Sequence, residues 1–294
     1  MGVHFYKLQC GGNSFVLLDL TETANIDLIP EEQFPAVAAR LSSRRYGIGA
    51  VATIFLKANN CIRVFDKRGI EHNTHYDAFL CCCRYLFDCG KNTGTNIEIS
   101  SPGNQVSIPI LGSREFALNL GSPFSMESGM LVTPSSEKII SYIYSQDCTI
   151  SATAIHLIED SICAFQANTG TLSYEQFKNR IQNALNQTKV NSVLLKPLTQ
   201  DTLAIRTSPA NTSSVCAAAG AGLVSGVIAG TNARDCIVLF NSELSYSDGY
   251  RLDSDFSPQG QEFGVSWNEA KNEITISGSG AYIFDGTFDL PKLK

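Results

Sequence analysis

Short apolar runs, rich in β-branched and aromatic residues and bounded by Gly, Asn or Lys, dominate the chain and predict strands. In the first half these are Phe15–Leu20, Ala50–Leu56, Cys61–Asp66 and Asn96–Ser100. The second half repeats the style at Lys138–Ser145, Ile162–Ala167, Ser192–Leu198, Thr202–Thr207, Cys236–Phe240 and Glu273–Gly280. Helical spacing is rarer. Glu31 to Ser42 reads as a helix with Pro30 near its start. Asp77 to Cys89 places Phe79, Cys82, Cys83 and Leu86 on one face at spacings of three and four. Ser173 to Asn186 opens with a Ser-x-x-Gln capping box. Val215 to Ile228 is apolar nearly all round and rich in Ala and Gly, the pattern of a helix enclosed in a core.

The two halves look alike. FYKLQCGGNSF near the start resembles FALNLGSPFSM at Phe116 to Met126, each a strand-like run ending in a Gly-containing turn. The helix at Asp77 has a counterpart at Val215, about half the chain away. The simplest account is an internal duplication with the join near Arg114–Phe116. Residues 1–115, closed by 281–294, would form one half and 116–280 the other.

Composition narrows the class. The chain has 294 residues, 44% of them hydrophobic and 17% charged, which suits packed cores rather than a disordered polymer. A net charge of -6 gives no reason to expect nucleic acid or an anionic membrane as partner. No apolar run reaches membrane-spanning length and the N-terminus lacks a signal-peptide pattern, so the expectation is a soluble cytoplasmic protein. The 10 cysteines read as reduced and buried, and their spacing matches no zinc-binding pattern, so no metal is expected.

Chemistry could gather at the starts of the two paired helices, where backbone N–H groups and a partial positive charge suit an anion such as a carboxylate. Asn211-Thr212-Ser213-Ser214 supplies hydroxyls at one start and reads equally as an N-cap. At the other, His75 is a base available near neutral pH, and Asp77 could orient it or cap the helix. On local context alone His75 is an exposed loop residue, and His72 likewise. Cys81, Cys82 and Cys83 lie inside the helix, away from any activating cation, and read as core thiols.

Taken in order, LQCGGNSFVLLD, RRYGIGAVATIFL, IRVFDKRG with CCCRYLFD, LNLGSPF, VCAAAGAG and SGSGAYIFDGTF resemble the diaminopimelate epimerase family. Its wider superfamily includes proline racemases and the isomerases of phenazine biosynthesis. The resemblance runs nearly end to end. It implies an α/β (α+β) fold of two pseudo-symmetric halves, each a β-sheet wrapped around a central helix. It also implies cofactor-independent acid–base chemistry between the halves, with a homodimer possible. Epimerases of the family use two cysteines, each opening a short motif. Those motifs fall here on His75 to Cys81 and Asn211 to Cys216, so the leading positions hold His75 and Asn211 while the trailing cysteines remain. Asn13, Asn191 and the Gly121-Ser122-Pro123 turn match the family. Asp66 stands where the family has Asn, and Arg206 runs into TSPAN without the usual Glu-Arg-Gly segment.

These departures argue against a two-thiol racemase and against diaminopimelate as substrate. Phenazine-biosynthesis isomerases, which lack both thiols and carry a histidine at the first position, are the nearer comparison. The expectation is an isomerase-like enzyme acting on a small carboxylate or amino-acid derivative. His75, Asp77 and Asn211 would carry the chemistry. Asn13, Asp66, Tyr76, Asn191, Arg206, Thr212, Ser213 and Ser214 would line the substrate. The alternatives are an epimerase pairing His75 with another group such as Asp66 or Tyr76, a cyclisation or elimination enzyme, and a non-catalytic binding relative.

Overall fold

One order of strand pairings occurs twice in this chain, each time around a helix. The computed structural model describes residues 2–22, 25, 28–73, 75–92, 94–125, 131–133, 140–145, 148–157, 160–167, 191–207, 214–240 and 262–290. The chain forms two compact units, Met1–Ala117 with Gly278–Lys294, and Leu118–Ser277.

The first unit contains β1 (Gly2–Cys10), β2 (Asn13–Asp19), α1 (Phe34–Ser42), β3 (Ala52–Lys57), β4 (Cys61–Asp66), β5 (Glu71–His72), α2 (Tyr76–Asp88), β6 (Asn96–Ser101), β7 (Asn104–Gly112) and the start of β8 (Glu115–Gly121). The second contains β9 (Phe124–Ser125), β10 (Ile140–Ser145), β11 (Cys148–Leu157), β12 (Asp160–Ala167), β13 (Asn191–Thr199), β14 (Thr202–Thr207), α3 (Val215–Ile228), β15 (Asp235–Phe240), β16 (Glu262–Asn268) and β17 (Glu273–Gly278). The last strand, β18 (Ala281–Asp289), returns to the first unit and pairs antiparallel with β1.

In the first unit β1–β2 is antiparallel, β2–β3 parallel, β3–β4 antiparallel, β4–β6 parallel and β6–β7 antiparallel. In the second, β11–β12, β12–β13, β13–β14, β14–β15 and β15–β16 repeat those senses in the same order. A parallel pair needs a crossover, and α2 (between β4 and β6) and α3 (between β14 and β15) supply corresponding ones. In the second unit β9 pairs antiparallel with β11, as β18 does with β1. The fold is therefore α+β, two halves of one topology, each a sheet around a central helix.

Strand alternation sorts the first unit's sheet into two faces. Val3, Phe5, Val16, Leu18, Phe55 and Phe65 meet α1 through Phe34, Val37, Ala38 and Leu41. Phe34 stacks on Phe55 with ring centroids 4.0 Å apart. Each such buried side chain contributes roughly 1.5–3 kcal/mol. The opposite face, apolar at its middle through Leu8, Phe15, Ile54 and Val64 and polar only toward the strand ends, encloses α2. Polar groups fix α2 at its far end. Asp19 on β2 is fully buried and accepts hydrogen bonds from the Tyr85 hydroxyl (2.8 Å) and the Thr21 N–H (2.8 Å), and it pairs with Lys91. Burial pushes the Asp19 carboxyl up, but Lys91, Thr21 and Tyr85 outweigh it and hold the group below its ordinary value.

Two helix expectations change in detail. Glu31–Gln33 is a 3-10 turn and the α-helix begins at Phe34, with Pro35 in its first turn, where the missing N–H costs nothing. The helix expected at Asp77 begins at Tyr76, and it is buried on nearly every side through Leu86 rather than along one stripe, because the sheet wraps it. The helix expected at 173–186 lies outside the described residues. Among the described cysteines no disulfide forms. Most are buried, but Cys89 is exposed and Cys61 half-buried, contrary to the expectation for every thiol.

Candidate functional site

The sequence CGGN at the end of β1 sets up one row of side chains. Gly11 and Gly12 take positive φ (55° and 90°), the two-residue turn that joins right-twisted strands tightly. This makes Cys10 and Asn13 cross-strand partners. Phe15 then pairs with Ala52, and Ala52 with Asp66. Cys10, Asn13, Phe15, Ala52 and Asp66 thus share the face that encloses α2, at the end where that helix starts.

His75 is the N-cap residue of α2, with φ -141° and ψ 93°, and its side chain does not cap the helix. It is only 7% exposed, which corrects the reading of an exposed loop histidine. Phe15 meets the imidazole edge-on at 5.1 Å, and the His72 ring lies 6.1 Å away. Among the described residues the buried Nδ1 of His75 has no hydrogen-bond partner. An unsatisfied buried polar atom costs roughly 1–3 kcal/mol, so it calls for a functional account. Burial, partly opposed by Asp77 and reinforced by His72, lowers the His75 pKa, so the ring is neutral at neutral pH.

Asp77, in the first turn, is fully buried and accepts a hydrogen bond from Asn13 Nδ2 at 3.0 Å. The Cys10 sulfur and an Asp77 carboxylate oxygen lie within 4.8 Å of one another. Tyr76 packs its ring against Phe79 at 5.6 Å. Asp66 shares the face but braces the β4–β5 turn, accepting from the N–H groups of Arg68 (2.8 Å) and Ile70 (2.9 Å) and from Arg68 Nε (2.9 Å). Burial raises its carboxyl, but these donors outweigh that and leave it below the usual carboxylate range. His72, half-buried on β5 rather than on a surface loop, places Nε2 3.7 Å from Asp66.

Cys81, Cys82 and Cys83 are fully buried inside α2. Burial pushes the Cys82 and Cys83 thiols well above their ordinary value, which makes them poor nucleophiles. Cys81 packs against the β17–β18 connection, where a Cβ built on Gly280 would come within 2.7 Å of the Cys81 Cα. Position 280 holds glycine because two backbones meet there.

In the second unit Ser214 caps α3, its hydroxyl oxygen accepting from the Ala217 N–H at 3.3 Å. No acidic residue lies in the first turn. Asn191 opens β13 on the face of Val193 and Leu195, which through Leu203 and Ile205 packs against α3. Arg206 pairs with Leu194 on the opposite face, so it does not join Asn191 there. Asn211, Thr212 and Ser213 lie outside the described residues. Local sequence reasoning missed Phe15 as a neighbour of the candidate base and Cys10 as a neighbour of Asp77. The Gly-Gly turn between Cys10 and Asn13 was the signal that could have found the thiol.

No model of a known protein family matches the chain. Sequence similarity nevertheless reaches the diaminopimelate epimerase of Rippkaea orientalis, 20% identical over 301 residues that cover 99% of this chain and 100% of that protein. A phenazine biosynthesis protein of Bacillus anthracis superposes with a TM-score of 0.61 at 12% identity, covering 99% of this chain and 100% of that one. A hydroxyproline epimerase of Agrobacterium vitis, solved with trans-4-hydroxy-L-proline, gives a TM-score of 0.58 at 9% identity and covers 98% and 91%. The fold is that of this epimerase and isomerase superfamily.

Proposed function

We propose that the protein is an isomerase-type enzyme that needs no cofactor and uses His75 to move a proton on a small carboxylate or amino-acid-derived substrate. The observation that carries this reading is the buried, neutral His75 with its unpartnered Nδ1 at the start of α2. A neutral imidazole accepts a proton from carbon. Asp77, on the next turn of chain, then stabilises the imidazolium, and Asn13 keeps that carboxylate in place. The electron pair left on carbon passes into the adjacent carbonyl, and the proton returns to another position of the same skeleton. Asn211, at the place in the second motif that His75 holds in the first, would donate an amide N–H to the developing enolate.

The two helix starts suit different parts of this task. Asp77 already occupies the positive end of α2. The start of α3 has Ser214 and no carboxylate, which suits a substrate anion, with Thr212 and Ser213 just before it. The test is turnover of a panel of small unsaturated and amino acids in deuterium oxide, followed by NMR. Solvent deuterium should enter substrate and product with the native protein and not with His75→Ala. Full incorporation by His75→Ala would overturn the assignment.

Cys10 supports a second reading, epimerisation in which a thiol returns the proton that the imidazole removes. Its sulfur lies beside Asp77 in the same row, whereas Asp66, the partner considered from sequence, is taken up by its turn. A Cys10→Ala variant that still exchanges the α-proton but no longer inverts the centre would support this reading. Unchanged inversion would remove it.

A further inference from the structure

The opposite face of the first unit's sheet carries an unbalanced charge. Several described basic side chains have carboxylate partners: Lys57 and Arg63 share Glu31, Arg63 also pairs with Glu71, Arg84 and Arg114 share Asp88, and Lys91 pairs with Asp19. Lys7, Arg40, Arg44 and Arg45 have no carboxylate partner among the described residues. They gather nonetheless, in a chain with 28 acidic residues against 22 basic ones.

Their arrangement centres on Tyr46, which is 61% exposed just past the end of α1. The guanidinium carbons of Arg40 and Arg45 each lie 5.7 Å from its ring centroid. The ring thus makes a cation–π contact with each of the two guanidinium groups. Lys7 comes in from β1, donating to the Ile48 carbonyl at 3.3 Å. Lys7 pairs with Val16, which places it on the α1 face and not on the face of His75. Burial, and next to it the charge of Arg44, depress the Lys7 ammonium, so these two cations sense each other.

A bland account covers part of this. Arg40 in the last turn of α1 is favoured by the helix dipole, and the ring contacts favour both guanidinium groups. Neither supplies a hydrogen-bond acceptor, and the Arg40 Nε is a buried donor with no partner among the described residues. A compact oxyanion would satisfy that donor, offset the repulsion between neighbouring cations, and match the planar fork of a guanidinium.

We propose that Lys7, Arg40, Arg44 and Arg45, arranged around Tyr46, form a binding site for a phosphate-class oxyanion, separate from the His75 site. This proposal does not rest on the proposed reaction. The test is calorimetric titration of the full chain with inorganic phosphate, glycerol phosphate and acetate, at constant ionic strength maintained with chloride.

Saturable binding of phosphate, weakened about tenfold or more by Arg44→Gln with Arg45→Gln and unchanged by His75→Asn, is the expected result. Tighter binding of glycerol phosphate than of phosphate would assign the site to phosphorylated metabolites, and equal binding would assign it to free phosphate. Arg44 and Arg45 are exposed, so their replacement leaves the core intact, and Arg40→Lys, which keeps the charge but loses the fork, should weaken binding as well. No saturable binding, binding unaffected by the double variant, or acetate binding as tightly as phosphate would overturn the proposal.

Discussion

The helices α2 and α3 occupy corresponding places in two copies of one topology, yet their first turns are built to opposite ends. Ser214 does for α3 what an N-cap does, holding the Ala217 N–H. His75 occupies the same place on α2 and caps nothing. Its ring is buried against Phe15 with one nitrogen unsatisfied. An ordinary cap there would stabilise the helix, so the first unit forgoes stability at the point where the second collects it. That is the expected signature of a position kept for chemistry.

Replacing His75 by Asn, a residue of cap type, tests that contrast most strongly. Turnover should fall by about 10²–10⁴-fold, the usual contribution of a positioned base. The same variant should raise the midpoint of thermal unfolding, because a cap contributes roughly 0.5–2 kcal/mol. A variant that loses activity and also unfolds more easily would mean that His75 is a packing residue.

The next contrast concerns how closely each helix is approached. Gly280→Ala drives a Cβ into the backbone of Cys81 and should destabilise the first unit by roughly 1–3 kcal/mol in denaturant titration. In α3 the glycine lies in the helix itself. A Cβ on Gly222 would lie 3.0 Å from Ile205 Cγ2 and 3.3 Å from Leu203 Cδ2; the leucine methyl can swing aside and the stiffer isoleucine must shift by only a few tenths of an ångström. Ala there also gains roughly 1 kcal/mol of helix propensity, so Gly222→Ala should change stability by less than about 1 kcal/mol. Ser214→Ala should cost about 1 kcal/mol, with no compensating gain.

The smallest effect is a slope in pH. His75 has a folded pKa below its unfolded value of about 6.5, so the unfolded chain binds more protons between the two. Stability from the neutral ring is complete above the unfolded pKa and declines as pH falls from there toward the lowered folded value. His75→Asn should flatten the stability curve over that window, while Ser214→Ala should leave its shape unchanged. Asp77 and His72, the titratable groups that act on the ring, remain in both variants, which makes the comparison a clean one.

Much of this architecture was legible in the residues. Strands such as Cys61–Asp66 and Thr202–Thr207 end where their apolar runs end, because Lys67 and Asn60 or Asp201 and Ser208 bound them. The all-apolar helix at Val215 could only be an enclosed one. The order of the motifs carried the superfamily likeness, although no single motif would have done so. Burial of His75 was not legible. Nothing in Thr74–Asp77 marks it, since the wall that covers the imidazole comes from Phe15, sixty residues earlier, through sheet pairing. The division of duties across a sheet was equally hidden. Arg206 and Asn191 fall on opposite faces only because their strands pair in one register, and Asp66 turned out to be engaged with its own turn.

The return of β18 to β1 has a consequence for how the protein is made. Gly2 pairs with Asp289, so β1 waits for a strand synthesised long after it before its open edge is covered. The second unit is continuous in sequence and can finish while that edge is still exposed. Contacts this distant along the chain form slowly. During synthesis the first unit is thus a nearly complete sheet with an unpaired strand at its border, and chaperone capture should peak just before residues 281–289 leave the ribosome.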